Sequence, residues 1–236
     1  MNTPAMASVI ERRLLVNYRL DPEAARRVLP PGMRPDLANG YAVGGICLIR
    51  LARLRPAALP ARLGLRTENA AHRIAVVWDG PQGPVRGVYI PRRDTSSRFT
   101  ALAAGRVFPG EHHHARFDVD ESAERLRVSF RGADAATHVA VEVELATDGV
   151  LRRSKLFDDL AAASDFFRDA PAARSARTSG PELDAVTLRT SAWSLQPTTP
   201  VAVESSFFAD PARFPSGSAE LDSALLMRDI PAVWTA

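Results

Sequence analysis

Ready-made chemistry is scarce in this 236-residue chain. It holds one cysteine, Cys47. That excludes an intrachain disulfide and any multi-cysteine metal site, and it fits a reducing, cytoplasmic setting. It holds one lysine, Lys155, and the rest of its 30 basic residues are arginine. No apolar run nears the ~20 residues that span a bilayer. The opening "MNTPAMASVIERRLLVNYRL" lacks a basic segment followed by an uninterrupted apolar one, so no signal peptide is expected. No G-x-G-x-x-G follows a strand, and there is no P-loop, H-E-x-x-H or G-x-S-x-G. Dinucleotide binding, phosphoryl transfer, zinc proteolysis and serine hydrolysis by their common routes are therefore disfavoured.

What remains is ordinary for a soluble globular protein: 46% hydrophobic and 24% charged residues. The length suits one domain, 1–236, with a sizeable core. The net charge is +3. The arginines are scattered among acids, with no basic run interleaved with aromatics, so they read as a solvated surface rather than a nucleic-acid site.

Hydrophobic periodicity marks mostly strands. "RRLLVNYRL" opens as a strand, and "LDPEAARRVLPPGM" follows as a helix capped by Asp21 and stopped by Pro30-Pro31-Gly32. "GYAVGGICLIRLARL" is a second strand. "AHRIAVVWDGPQGPVRGVYIPRRD" reads as a hairpin. "DTSSRFTALAAGRVF" has helical spacing of Phe99, Leu102, Ala103 and Val107. "ERLRVSFRG" and "THVAVEVELAT" alternate with period two as another hairpin. "DDLAAASDFFRDAP" is a short helix, and "APAARSARTSGPE" is the best candidate for a loop. More strands close the chain. Eight or more sequential strands with three short helices predict a mainly β (α+β) domain, an antiparallel barrel or sandwich rather than a βαβ fold.

Three of the five histidines stand together in "PGEHHHARF". In an extended segment His112 and His114 share one face and His113 points the other way. The triplet is then a pair plus an outsider, not one cluster.

The order of segments resembles a family in the acetoacetate decarboxylase-like superfamily. The opening "NYRLDPEAARRVLPPGMRPDLANGYAVGGICLIRL" carries the resemblance, with "TENAAHRIAVVW", "GVYIPRRDTSS", the helix before "HHHARF" and the tail "ELDSALLMRDIPAVW". It covers nearly the whole chain. It implies a closed, cone-like antiparallel β-barrel with a few peripheral helices and a central cavity for a small organic acid or carbonyl compound. Acetoacetate decarboxylase forms a Schiff base through a lysine whose pKa a neighbouring lysine depresses. Here the matching place holds His112 and His113, and imidazole forms no imine with a ketone. Lys155 matches no catalytic position; its stretch "TDGVLRRSKLFDDL" reads as a turn, a basic strand and the start of a helix, with Asp158 and Asp159 just beyond. It is expected to be exposed and not catalytic. The chain thus resembles a branch without the Schiff-base lysine.

The resemblance also picks out Glu68 in "TEN" as a cavity glutamate, a general acid or base if buried and a solvent or ion-paired residue if not. Asn69 beside it can orient a carbonyl or hold its loop. Arg73 can grip a carboxylate bidentately if it faces the cavity, the commoner alternative being a surface arginine. Arg50 and Arg13 are weaker versions of the same idea. His112 and His114 titrate near neutrality and suit acid–base work. Together with Glu68 they also permit a two-His-one-carboxylate metal site, a weaker reading. The expected function is lyase-like acid–base catalysis on a small or medium carbonyl-containing acid: Arg73, Asn69, His114 and Arg50 bind substrate, and Glu68 and His112 move protons. No cofactor or metal is expected. The expected partner is the small molecule alone, with no nucleic acid or membrane, in a possible homo-oligomer. The alternative is a barrel that binds a small molecule without chemistry.

Overall fold

The computed structural model describes residues 4–103, 110–145, 148–176 and 183–235. In chain order the elements are β1 (Met6–Leu20), α1 (Pro22–Arg27), β2 (Met33–Pro35), β3 (Leu37–Ala38), β4 (Tyr41–Pro56), β5 (Leu65–Gly80), β6 (Gly83–Thr95), α2 (Arg98–Ala103), β7 (His113–Glu121), β8 (Arg125–Gly132), β9 (His138–Leu145), α3 (Leu160–Arg168), β10 (Ala172–Ser175), β11 (Asp184–Thr190), β12 (Gln196–Ser205) and β13 (Ala219–Thr235). The expected mainly β fold with three short helices is what forms. Asp21 caps α1, its carboxylate accepting from Ala24 N at 2.8 Å, with Pro22 at the first turn where no N–H is needed. Both predicted hairpins are present, β5–β6 closing at Gly80–Gly83 and β8–β9 in continuous register.

The sheet is not a single loop of strands. Five long strands, in the order β13-β1-β4-β5-β6, form a shared wall. From this wall the sheet closes twice. One closure runs from β6 through β7, β8, β9 and β12 back to β13; the other runs from β6 through β10 and β11 to β13. The fork is possible because β13 and β6 are long enough to change neighbours along their length. β13 pairs with β12 at 224–226 and with β11 at 232–235. β6 pairs with β10 at 87–90 and with β7 at 94–95. The pairings are antiparallel except β10–β6 and β6–β7, which are parallel. That departs from the all-antiparallel expectation, because at both points the chain arrives by a crossover rather than a hairpin.

A wall covered on both faces must be apolar on both, which is why β4 is buried continuously from Ala42 to Ile49. Leu14, Val16, Ile46, Leu48 and Leu226 face a core shared with β8 and β9. Leu15, Val43, Cys47, Leu225 and Met227 face a second core capped by α3. Irregularities alter this alternation. Registers skip Glu11 in β1 and Asp229 in β13, the latter at φ 55°, so Ile10 and Ile230 join the second core while Arg12 and Arg228 take the other face.

Three local expectations are corrected. Part of the predicted loop, Ala172–Ser175, is strand β10, because its alternating buried residues Ala173 and Ser175 fill the gap beside β6; residues 177–182 lie outside the described residues. The predicted apolar face of α2 does not pack inward: Phe99 and Leu102 are exposed, at 62% and 84%. Val107 lies outside the described residues. The segment holding Lys155 is not a strand, and Lys155 is exposed as expected.

Candidate functional site

On the second-core face, between the wall, β10, β11 and α3, lies a cavity of two chambers. One, about 100 Å³, is lined by His112, Asn69, Thr100, Arg93 and Asp94, which Arg92 holds, among apolar residues. The other, about 140 Å³, is lined by Arg13, Arg73, Arg93 and Cys47 with Phe166 and Phe167 of α3. Ile49, Ala71, Arg93, Val186 and Trp234 line both, so the chambers adjoin along a shared wall. Each is well under the ~300–1,000 Å³ of sites for drug-sized ligands, which suits a small molecule.

Strand register explains why these side chains meet. Cys47, Ala71 and Arg93 are neighbours across β4, β5 and β6, and Arg13, Ile49 and Asn69 are neighbours across β1, β4 and β5. One rung away, Asn17, Gly45 and Arg73 align, with Ser223 beyond Asn17. This rung is a polar relay through the wall. Arg73 Nη2 donates to Asn17 Oδ1 at 2.6 Å, and Asn17 Nδ2 donates to Ser223 Oγ at 3.3 Å. Gly45 makes the space, since a Cβ there would meet Val16 O at 2.4 Å and Arg73 Nη2 at 3.3 Å.

The chamber arginines meet few anions. Arg73 is 3% exposed. It holds Asn17 and lies 4.7 Å from the Phe167 ring centroid, while its Nε and Nη1 have no hydrogen-bond partner among the described residues. Burial lowers its pKa to about 10. Arg13 donates Nε to Cys47 Sγ at 3.3 Å, and its buried Nη1 has no partner among the described residues. Arg93 donates Nε and Nη2 to Ser175 Oγ at 3.1 and 2.8 Å, and its pKa too falls to about 10 through burial, partly opposed by Asp184.

His112 stands at the other chamber. Its Nδ1 is 3.2 Å from Gly110 O, and since a carbonyl only accepts, Nδ1 carries the proton and Nε2 the lone pair. Burial, then the charge of Arg93, pushes its pKa down to about 3, so the ring is neutral at pH 7. Thr100 is buried, its hydroxyl without a partner among the described residues. Asn69 is oriented by Nδ2 donating to Thr67 Oγ1 at 2.9 Å and Thr67 O at 3.2 Å, which leaves Oδ1 as its acceptor.

The predicted residues thus divide. His112, Asn69 and Arg73 line the cavity, as does Arg13. Glu68 and Arg50 do not. They lie on the opposite face of the wall in an ion network. Glu68 bonds Arg50 closely and Arg12 at 2.6 Å, and Glu121 takes Arg12 at 3.2 Å and Arg228 at 2.5 Å. The reason is the period of two: Glu68 adjoins Asn69, and Arg12 adjoins Arg13, so each faces the other way. His114 pairs through its backbone with Thr95 and does not line the cavity. β7 starts at His113, so strand alternation does not reach His112. His113 faces Asp134 and Glu111, at 3.5 and 3.6 Å. His112, His114 and Glu68 therefore do not converge, and no group of three His, Cys, Asp or Glu among the described residues can hold a metal ion. No helix among them is long and apolar enough to cross a membrane.

Sequence reasoning did not single out Arg93, Cys47, Thr100 or Asn17 for the site. "PRRDTSS" carried a usable signal, because two arginines in a strand end must point to opposite faces: Arg92 bonds Asp94 and Asp134, and Arg93 faces the cavity.

Residues 9–210 match the DUF2071 family, described as an uncharacterized conserved protein, and the chain belongs to that family. No curated protein matches it. Among solved structures it is similar to acetoacetate decarboxylase from Legionella pneumophila, at 10% identity and TM-score 0.58, over 100% of this chain and 87% of that one. It is also similar to the enduracididine biosynthesis enzyme MppR complexed with pyruvate, at 15% identity and TM-score 0.57, over 100% and 90%. An acetoacetate decarboxylase-like enzyme from Sphingomonas wittichii RW1 is similar at 15% identity and TM-score 0.57, over 100% and 91%. The fold is acetoacetate decarboxylase-like.

Proposed function

We propose that this DUF2071 protein is a lyase-like enzyme that abstracts a proton beside the carbonyl of a small oxo acid, with His112 as the base. The observation that carries this reading is a neutral imidazole and a half-buried arginine, His112 and Arg93, on one small chamber. Arg93 anchors the carboxylate. His112 Nε2 takes the α-proton, the C–H electron pair moves toward the carbonyl, and Thr100 Oγ1 is the donor available to the enolate oxygen. A base with so low a pKa is weak in the empty site. A bound carboxylate offsets the charge of Arg93, which raises the proton affinity of His112 when substrate is present. Elimination of a β-hydroxyl or intramolecular attack then proceeds from this enolate, giving dehydration or cyclisation, and loss of CO2 from a 3-oxo acid forms the same enolate by breaking the C–C bond, giving decarboxylation without an imine; the only lysine is exposed.

The test is proton–deuterium exchange of short 2- and 3-oxo acids in D₂O, followed by NMR. His112→Ala should slow exchange by ~10²-fold or more. Binding without exchange by the wild type would support a second reading, a barrel that holds the acid without chemistry. The placement of Glu68 outside the cavity favours that reading, since it removes the general acid or base that the resemblance had supplied beside His112.

A further inference from the structure

Arg93 and His112 account for one end of the cavity. They leave unexplained the chamber at the other end, where Arg13 and Arg73 converge. Arg73 is nine-tenths buried and more, yet no carboxylate bonds it or Arg13 among the described residues. Three buried donors, Arg73 Nε, Arg73 Nη1 and Arg13 Nη1, have no partner there. A buried guanidinium without a compensating anion is costly to keep. The protein does not merely tolerate Arg73. It spends Asn17 to aim it and Gly45 to admit it. Around Arg93, the lining that the two chambers share is apolar: Ile49, Ala71, Val186 and Trp234.

We infer that the substrate is a short oxo-dicarboxylate, whose distal carboxylate binds in a second anion subsite formed by Arg73 and Arg13 while its reacting end lies at Arg93 and His112. The inference rests on the function proposed above and names its substrate class. Its distinctive element is the spacing of cations: Arg93 is common to both chambers, Arg13 and Arg73 line only one, and His112 lines only the other. A monoacid satisfies Arg93 and leaves the far donors orphaned. A diacid with an apolar middle satisfies both ends. Asn17 is a positioning residue here: it takes Arg73 Nη2, which turns the two remaining nitrogens to the ligand.

Calorimetric titration with chain-matched acids tests this. The wild type should bind 2-oxoglutarate about 100-fold or more tightly than 2-oxopentanoate, which lacks only the distal carboxylate, as two charge-assisted hydrogen bonds would give. In Arg73→Met the two affinities should come within about threefold of each other. Arg13→Gln should narrow the gap as well, so the outcome does not hang on one variant. Equal affinities in the wild type would overturn the dicarboxylate inference and leave the proposed function standing. A gap that survives in both variants would also overturn it, as would displacement of 2-oxoglutarate by inorganic phosphate at equal concentration. Binding of neither acid would instead overturn the proposed function itself.

Discussion

The same wall of strands carries an arginine triad on each face, and the two are treated in opposite ways. On one face Arg12, Arg50 and Arg228 interlock with Glu68 and Glu121. On the other, Arg13, Arg73 and Arg93 meet an amide, a thiol and a hydroxyl. Arg12 and Arg13 are adjacent, so composition and local sequence are nearly the same for both. The difference lies in the acids. A matched triad fastens four strands and β7 together and has little capacity left for a ligand. An unmatched triad adds little to the folded state by itself and keeps its donors for an anion. Buried charge therefore has to be read with its partners: a guanidinium bonded to carboxylates, as Arg12 is even with its Nε unpartnered among the described residues, is structural, and one with no carboxylate is the proposed binding group.

The largest effect should come from breaking the matched side. Glu68→Gln leaves Arg12 and Arg50 facing Glu121 alone, and the loss of one partner of a buried pair should cost about 3 kcal/mol of stability. Urea denaturation measures this, and exchange activity per folded molecule should change little. Unchanged stability with a ~10²-fold loss of rate would break the comparison and return Glu68 to catalysis.

A smaller effect sharpens it. Each face also holds one histidine kept neutral: His72, fully buried beside Phe207 and Phe130, and His112 in the cavity. Burial lowers both pKa values to about 3. The unfolded chain takes up these protons near pH 6.5 and the folded chain does not, so their contribution is present above pH 6.5 and is lost as pH falls toward 3. For the fully buried His72 the slope is about 1.4 kcal/mol per pH unit in that window. His72→Phe should remove that part of the slope between pH 6 and 4.5, read from denaturation midpoints. Saturating oxo acid should shift the titration of His112 upward by NMR and leave His72 where it is. Parallel shifts would show that the faces are not independent.

The smallest effect is expected on the unmatched side. Arg73→Met should change thermal stability by less than about 1 kcal/mol, the lost Asn17 bond being offset by relief of an unpaired buried cation. A loss as large as that of Glu68→Gln would make Arg73 structural and erase the contrast.

Much of the fold was legible. The Asp21 cap, both hairpins and the three short helices follow from local punctuation and period, and the order of motifs carried the acetoacetate decarboxylase-like resemblance. The site was legible in part. His112, Asn69 and Arg73 reach the cavity, while Glu68, Arg50 and His114 do not. Phe99 and Leu102 show the same limit: helical spacing identified a stripe, yet that stripe meets solvent.

Alternation along a strand is local chemistry, so the sequence by itself determined which residues share a face: Asn69 with Arg73, Glu68 with Ala70, Arg12 against Arg13. Only the tertiary structure decided which face encloses the cavity. That depends on the skipped residues Glu11 and Asp229, which exchange the faces of β1 and β13, and on the forks at β6 and β13, which turn one side of the wall into a packed core and the other into chambers. Both arise from pairings between strands distant in the chain, and no period within a single strand encodes them.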